Sequence, residues 1–221
     1  MPAAGACGRI GDMSRSVTVT GRGRTSAPYD EATLRLAASA RAANPSDATA
    51  RATYAMASMR DAVLASGAEE SALSTTHVSL TPVHDPWPTV SAYEASLSLS
   101  VRLGDLTRVG TVLVAAVDAG GDGARVDGIW FSHRDAGELE RSSRDAAYAD
   151  ARAKAEQYAG LAGQALGEVR HVVEAEIGGG ISPREMTVMA MSADSGGAPI
   201  DGGEGTVAAV ITVTWALGPA V

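Results

Sequence analysis

Apolar and polar residues alternate with a period of two in several stretches of this chain, and stretches of helical period lie between them. From Val90 to Leu103, Tyr93, Ala95, Leu97, Leu99, Val101 and Leu103 share one parity, while Glu94, Ser96, Ser98, Ser100 and Arg102 share the other. Such a segment predicts a sheet strand with one solvated face. Ser16 to Thr20 alternates in the same way and runs on through Gly21 and Gly23. Ala32 to Ala38 places Leu34 and Leu36 on one face, and the turn residues Ala27-Pro28-Tyr29-Asp30 stand between the two runs. That combination predicts a β-hairpin. Further strands are expected over Leu73 to Val83, Val126 to Ser132, Val169 to Ile177 and Thr206 to Leu217.

The helical stretches carry their own start and stop signals. Asn44 stands where a cap belongs, Pro45 fits the first turn, and Asp47 adds negative charge at the positive end. Ala48, Ala52, Ala55, Met59, Ala62 and Val63 follow at helical spacing until Gly67. A second helix is expected from Leu106 to Ala119, capped by Asp105 and ended by the glycines at 120, 121 and 123. The third, Glu138 to Gly163, is long and rich in alanine. Its Glu140–Arg144 and Asp150–Lys154 spacings are favourable i,i+4 pairs. The order ββαββαβαβ(β)β predicts an α+β fold, with helices layered on a mostly antiparallel sheet. No segment before Gly178 reads as a dividing linker. The expected organisation is a flexible tail over 1–14 and a single domain over 15–221.

Composition narrows the function classes. The chain has 221 residues and a formal net charge of -8. An acidic surface repels phosphate backbones, so nucleic acid is not an expected partner. Arg15, Arg22 and Arg24 are the best basic cluster, and they read as solvent-facing charges on an edge strand. One cysteine, Cys7, excludes an internal disulfide and a cysteine-rich metal site. No window reaches the roughly 20 apolar residues that cross a bilayer, and the first 14 residues lack a secretory h-region. The expected location of the chain as it stands is cytoplasmic, with a periplasmic or secreted location as the alternative if a leader precedes it.

Candidate chemistry is sparse. His77, His84, His133 and His171 show no metal-ligand spacing, and adjacent His84 and Asp85 point apart. Glu174 and Glu176 share a strand parity that reads as a solvent face. None of the glycine clusters follows a strand and opens a helix, as a phosphate loop requires. Ser26, Ser91 and Ser132 lack any activating partner in sequence. No catalytic set, cofactor or metal is expected. Trp87, held between Pro86 and Pro88, offers a rigid aromatic anchor for a partner or tucks onto its own domain. Met186, Met189 and Met191, in a late loop region, offer an adaptable contact surface or fill a gap. These six residues form the candidate interface. Trp130 and Trp215 lie within strands and read as core or sheet-face residues.

Several segments, taken in order, resemble one family. They are VTVTGRGRTSAPYDEATLRL, VSAYEASLSLSVRLGDLTRVGTVLVAAVDAG, ARVDGIWFSHRD followed by DAAYADARAKAEQYAGLAGQALGEV, and VAAVITVTWAL. Together, over about residues 16–217, they resemble the SIMPL-domain family, which includes periplasmic immunogenic proteins of bacteria. The resemblance implies an α+β fold with two related substructures. Some members form ring-like or channel-like oligomers in the cell envelope; others are linked to stress tolerance or, in animals, to signalling. No catalytic residues carry over. Gly21, Gly23, Pro28, Asp30, Tyr93, Gly128, Ala151, Ala153 and Ala155 carry the match and read as turn and packing positions. The expected function is a non-enzymatic, homo-oligomeric structural or interaction protein, stress- or envelope-related. The alternative is a small-ligand-binding module in which Gly178 to Gly205 closes over a pocket. Self-association is the expected partnership, with a protein or small molecule as a further partner.

Overall fold

Asn44 starts the first helix as its side chain predicts: its backbone is extended and its side-chain oxygen accepts from the Asp47 N–H at 2.9 Å. The helix, α1 (Pro45–Ala65), ends at Ser66, and Gly67 turns the chain with φ of 84°. Such a conformation favours glycine. Ahead of the second helix, α2 (Val109–Gly120), Asp105 accepts from the Thr107 N–H at 3.0 Å and opens a short 3-10 turn. The third, α3, spans Gly137–Leu161. The computed structural model describes residues 15–175, 184–186 and 200–220. The expected tail over 1–14 lies outside them.

The chain folds as two compact units. One comprises Ala27–Asp135 and Ile181–Gly205. Its strands are β2 (Glu31–Ala42), β3 (Leu73–His84), β4 (Val90–Leu103), β5 (Ala124–Ser132) and β7 (Arg184–Met186). They form an antiparallel sheet in the order β3-β4-β2-β5-β7. The alternation in β4 has the predicted outcome: Ala95, Leu99, Val101 and Leu103 are buried. Leu34 and Leu36 of β2 and Ile129 and Phe131 of β5 join them, against Met59 and Val63 of α1 and Val109 and Val112 of α2. Burying each such side chain stabilises by roughly 1.5–3 kcal/mol.

The other unit comprises Met1–Ser26, Ala136–Gly180 and Thr206–Val221. Its sheet has the order β1-β8-β6, from β1 (Ser16–Pro28), β8 (Glu204–Ala220) and β6 (Gln164–Glu174). The hydroxyl pairs Thr18–Thr214, Thr20–Thr212 and Ser26–Thr206 run in opposite chain directions, so β1 and β8 are antiparallel. On the other face, Val19 of β1 and Ile211, Val213 and Trp215 of β8 meet α3. The buried residues of α3 form a single i,i+4 column: Ser143, Ala147, Ala151, Ala155 and Ala159. Side chains this small let the helix backbone come down onto the sheet, and β1 answers with glycine where it comes closest. A Cβ built on Gly21 would lie 2.1 Å from the Ala147 carbonyl oxygen, and one on Gly23 would lie 2.0 Å from that of Ser143. Ser143 itself donates its hydroxyl to the Val207 carbonyl at 3.0 Å.

The structure corrects three expectations. Ser16–Thr20 and Ala32–Ala38 form no hairpin, since β1 and β2 belong to different sheets. Period-two alternation predicts strands but does not choose their partners, and the threonines of β8 pair with β1 instead. Met186 is not in a loop; it lies in β7, opposite Ile129 of β5. Ala153 is exposed, because the contact column on α3 is one residue wide.

Candidate functional site

Strand edges are the chemically open parts of this molecule, because each presents backbone donors and acceptors in search of partners. β1 and β3 each stand at the edge of their sheet. They differ in how they are finished. On β1, Asp150 Oδ2 of α3 accepts from the Arg22 N–H at 2.8 Å, and Lys154 Nζ donates to the Thr20 carbonyl at 3.0 Å. The two side chains also pair with each other at 2.7 Å. The i,i+4 ion pair foreseen on α3 is thus a clip over its neighbour's edge. Hydrogen bonding from Lys154 first, and then from the Arg22 N–H, holds the Asp150 carboxyl below the usual aspartate range.

β3 has no such clip among the described residues. Its 12 residues carry no Lys, Arg, Asp or Glu. Val78 and Leu80 sit opposite Leu97 and Ala95 of β4, on the face that carries the core. They nonetheless remain 65% and 46% exposed. At the end of β3, the loop to β4 is closed by the Asp85 N–H donating to Thr89 O and the Thr89 N–H donating to Pro86 O. Trp87 projects from it, 78% exposed, with its ring 4.5 Å from that of His84. Pro86 and Pro88 are exposed beside it. The structure therefore brings three candidate interface residues together at one tip. Met186 lies on a different strand, and Met189 and Met191 lie outside the described residues, as does most of the proposed closing segment Gly178 to Gly205. Val78 and Leu80 had gone unmarked, although two apolar residues of equal parity in an uncharged run are the signal that finds them.

The remaining candidate chemistry resolves into structural contacts. His77 and His84 lie on β3, His133 just beyond β5, and His171 on β6 of the other unit. Among the described residues no three His, Cys, Asp or Glu side chains gather as metal ligands. His133 Nε2 is buried without a hydrogen-bond partner among them, its ring 4.9 Å from that of Tyr29. Ser26 pairs with Thr206, Ser91 donates to Val83 O, and Ser132 donates to Glu31. Glu174 is exposed, in keeping with a solvent face, and Glu176 lies outside the described residues. Trp215 is core, whereas Trp130 lies under the Arg35 guanidinium at 4.6 Å. Arg15, Arg22 and Arg24 are solvent-exposed on or beside the β1 edge.

No described helix is long and apolar enough to cross a membrane. Two curated relatives are similar to the chain, the 26 kDa periplasmic immunogenic proteins of Brucella melitensis and Brucella abortus. Each is 29% identical over 170 residues, which is 72% of this chain and 66% of the relative. The chain therefore spans just under two thirds of the length of these relatives. The model of the SIMPL family, a protein of unknown function (DUF541), matches residues 17–215, nearly the whole chain and both units of the fold, and the chain belongs to that family.

Proposed function

We propose that this chain is a non-enzymatic, self-associating interaction protein of the cell envelope, and that β3 is the strand through which copies join. The observation that carries this reading is the contrast between the two edges. The β1 edge is clipped by Asp150 and Lys154, while β3 offers 12 uncharged residues with Val78 and Leu80 exposed. A second copy laid along β3 would satisfy its open backbone groups and cover both side chains. Trp87, at the end of the same strand, supplies the large aromatic area that interface centres favour. The periplasmic alternative replaces the cytoplasmic expectation, because both relatives are named as periplasmic.

Light scattering on chromatographed protein over a wide concentration range tests the assembly. The unaltered chain is expected to run as a discrete multimer, and Val78→Lys with Leu80→Lys to reduce it to the mass of one chain. A monomer at every concentration refutes self-association. A multimer that survives the double substitution refutes the choice of β3. Fractionation of the native host tests the location, with recovery in the cytoplasm counting against the envelope.

A further inference from the structure

β5 begins at Ala124, opposite Ala38, so on that side β2 continues to Ala42 without a partner strand among the described residues. A groove of about 610 Å³ opens there. Ser39 and Arg41 of β2 line it, with Arg51 of α1, Glu94 of β4, and Asp122 and Arg125 around the start of β5. The volume lies within the range of small-molecule sites.

The charges of the groove are not balanced. Three arginines and two acidic residues line it, in a chain whose net charge is -8. Arg125 Nη1 donates to the carbonyls of Asp122 and Ala124, at 2.8 and 2.7 Å. Carbonyls orient the guanidinium without neutralising it, and its other N–H groups stay available. Arg41 Nε donates to Glu94 at 2.6 Å, which fixes that side chain and leaves its terminal N–H groups free of that contact. Arg51 has no partner among the described residues. A guanidinium is a planar fork that matches the oxygens of carboxylate and phosphate.

We infer that this groove binds a compact, multiply charged organic or inorganic anion bearing carboxylate or phosphate groups. Arg125 and Arg51 grip it, and Arg41 contributes from the β2 side. The site is separate from the β3 edge and does not depend on self-association.

Titration calorimetry with citrate and, separately, pyrophosphate tests this at constant ionic strength on the full chain. One saturable site is expected for at least one probe. Arg51→Gln and Arg125→Gln are each expected to weaken it about tenfold or more, as loss of a charge-assisted hydrogen bond does. Asp122→Asn removes a repelling charge and tightens binding. Arg152→Gln, altering an exposed ion pair on α3 in the other unit, leaves it unchanged. Arg51 makes no hydrogen bond or ion pair among the described residues, so its variant separates lost grip from lost folding. A response to citrate alone assigns the site to carboxylates, and to pyrophosphate alone to phosphates. No saturable binding of either probe, or equal affinity in Arg51→Gln and the unaltered chain, overturns the inference.

Discussion

Replacing Gly21 or Gly23 with alanine adds one methyl group to β1 in the place where α3 rests on it. The new Cβ would stand 2.1 Å from Ala147 O and 2.7 Å from Ala151 N at position 21, and 2.0 Å from Ser143 O and 2.5 Å from Ala147 N at position 23. An unstrained carbon–oxygen contact is about 3.3 Å, so the helix must retreat by roughly 1.2 Å. The obstructing atoms are backbone, and no rotamer change relieves them. Retreat separates the alanine column from Val19, Ile211, Val213 and Trp215. Overpacking by a methyl group costs about 1–3 kcal/mol and occasionally more. With backbone on both sides of the contact, each variant should lose about 3 kcal/mol, only partly offset by the ~0.4–1 kcal/mol that alanine gains through the unfolded chain. Urea unfolding, with hydrogen exchange read over α3, measures the loss in the unit that carries it. Gly160→Ala is the control: nothing lies within 4 Å of its added Cβ, and it sits inside a helix. Placed in the last turn rather than mid-helix, it should be neutral or stabilise by up to about 0.5 kcal/mol. Gly21→Ala and Gly23→Ala proteins as stable as the parent would refute the close-approach account of these glycines.

Ser143→Ala removes the hydroxyl that reaches Val207 O in the buried layer and should cost about 1–2 kcal/mol by the same denaturation assay. Asn44→Ala removes the α1 cap and should cost about 1 kcal/mol, with faster exchange of the Asp47 amide. The Asp150 carboxyl is held below its ordinary range by Lys154 and the Arg22 N–H, so its folded pKa is depressed. Its contribution is therefore complete above about pH 3.9 and is lost as pH falls through the folded value. Base-corrected exchange of the Arg22 amide should accelerate over that acid range, while Asp150→Asn should flatten the dependence; a pH-independent Arg22 amide in the parent would contradict the clip.

Much of the fold was legible, and the gaps have physical causes. The alternation of β4, the Asn44–Pro45 start of α1 and the glycine after Ser66 are local signals, and each produced its element. Strand partnership is not local: β1 pairs with β8 nearly two hundred residues away, so adjacent strands suggested a hairpin that does not form. Gly21 and Gly23 read as turn and packing positions on a continuing strand, but what they pack against was not legible, because the helix that requires them lies beyond residue 136. Trp87 between two prolines fitted a partner anchor and a ring tucked onto its own domain equally, and its exposure is visible only in the structure. The arginine groove was invisible, since Arg41, Arg51 and Arg125 converge only through the sheet register and the course of α1.

The single column of small residues on α3 also sets what the helix can tolerate. Positions 143, 147, 151, 155 and 159 form a narrow keel; Asp150 and Lys154 flank it and hold the β1 edge, while Arg152 and Gln157 are exposed. A library randomised along α3 should return alanine, glycine or serine at these five positions and a broad range of residues at sites such as Arg152 and Gln157. The alanine richness of this segment thus combines a strict size limit along one line with freedom at the exposed positions outside the Asp150–Lys154 clip, and a site such as Gln157 is the natural place to attach a label or tether without disturbing the unit beneath.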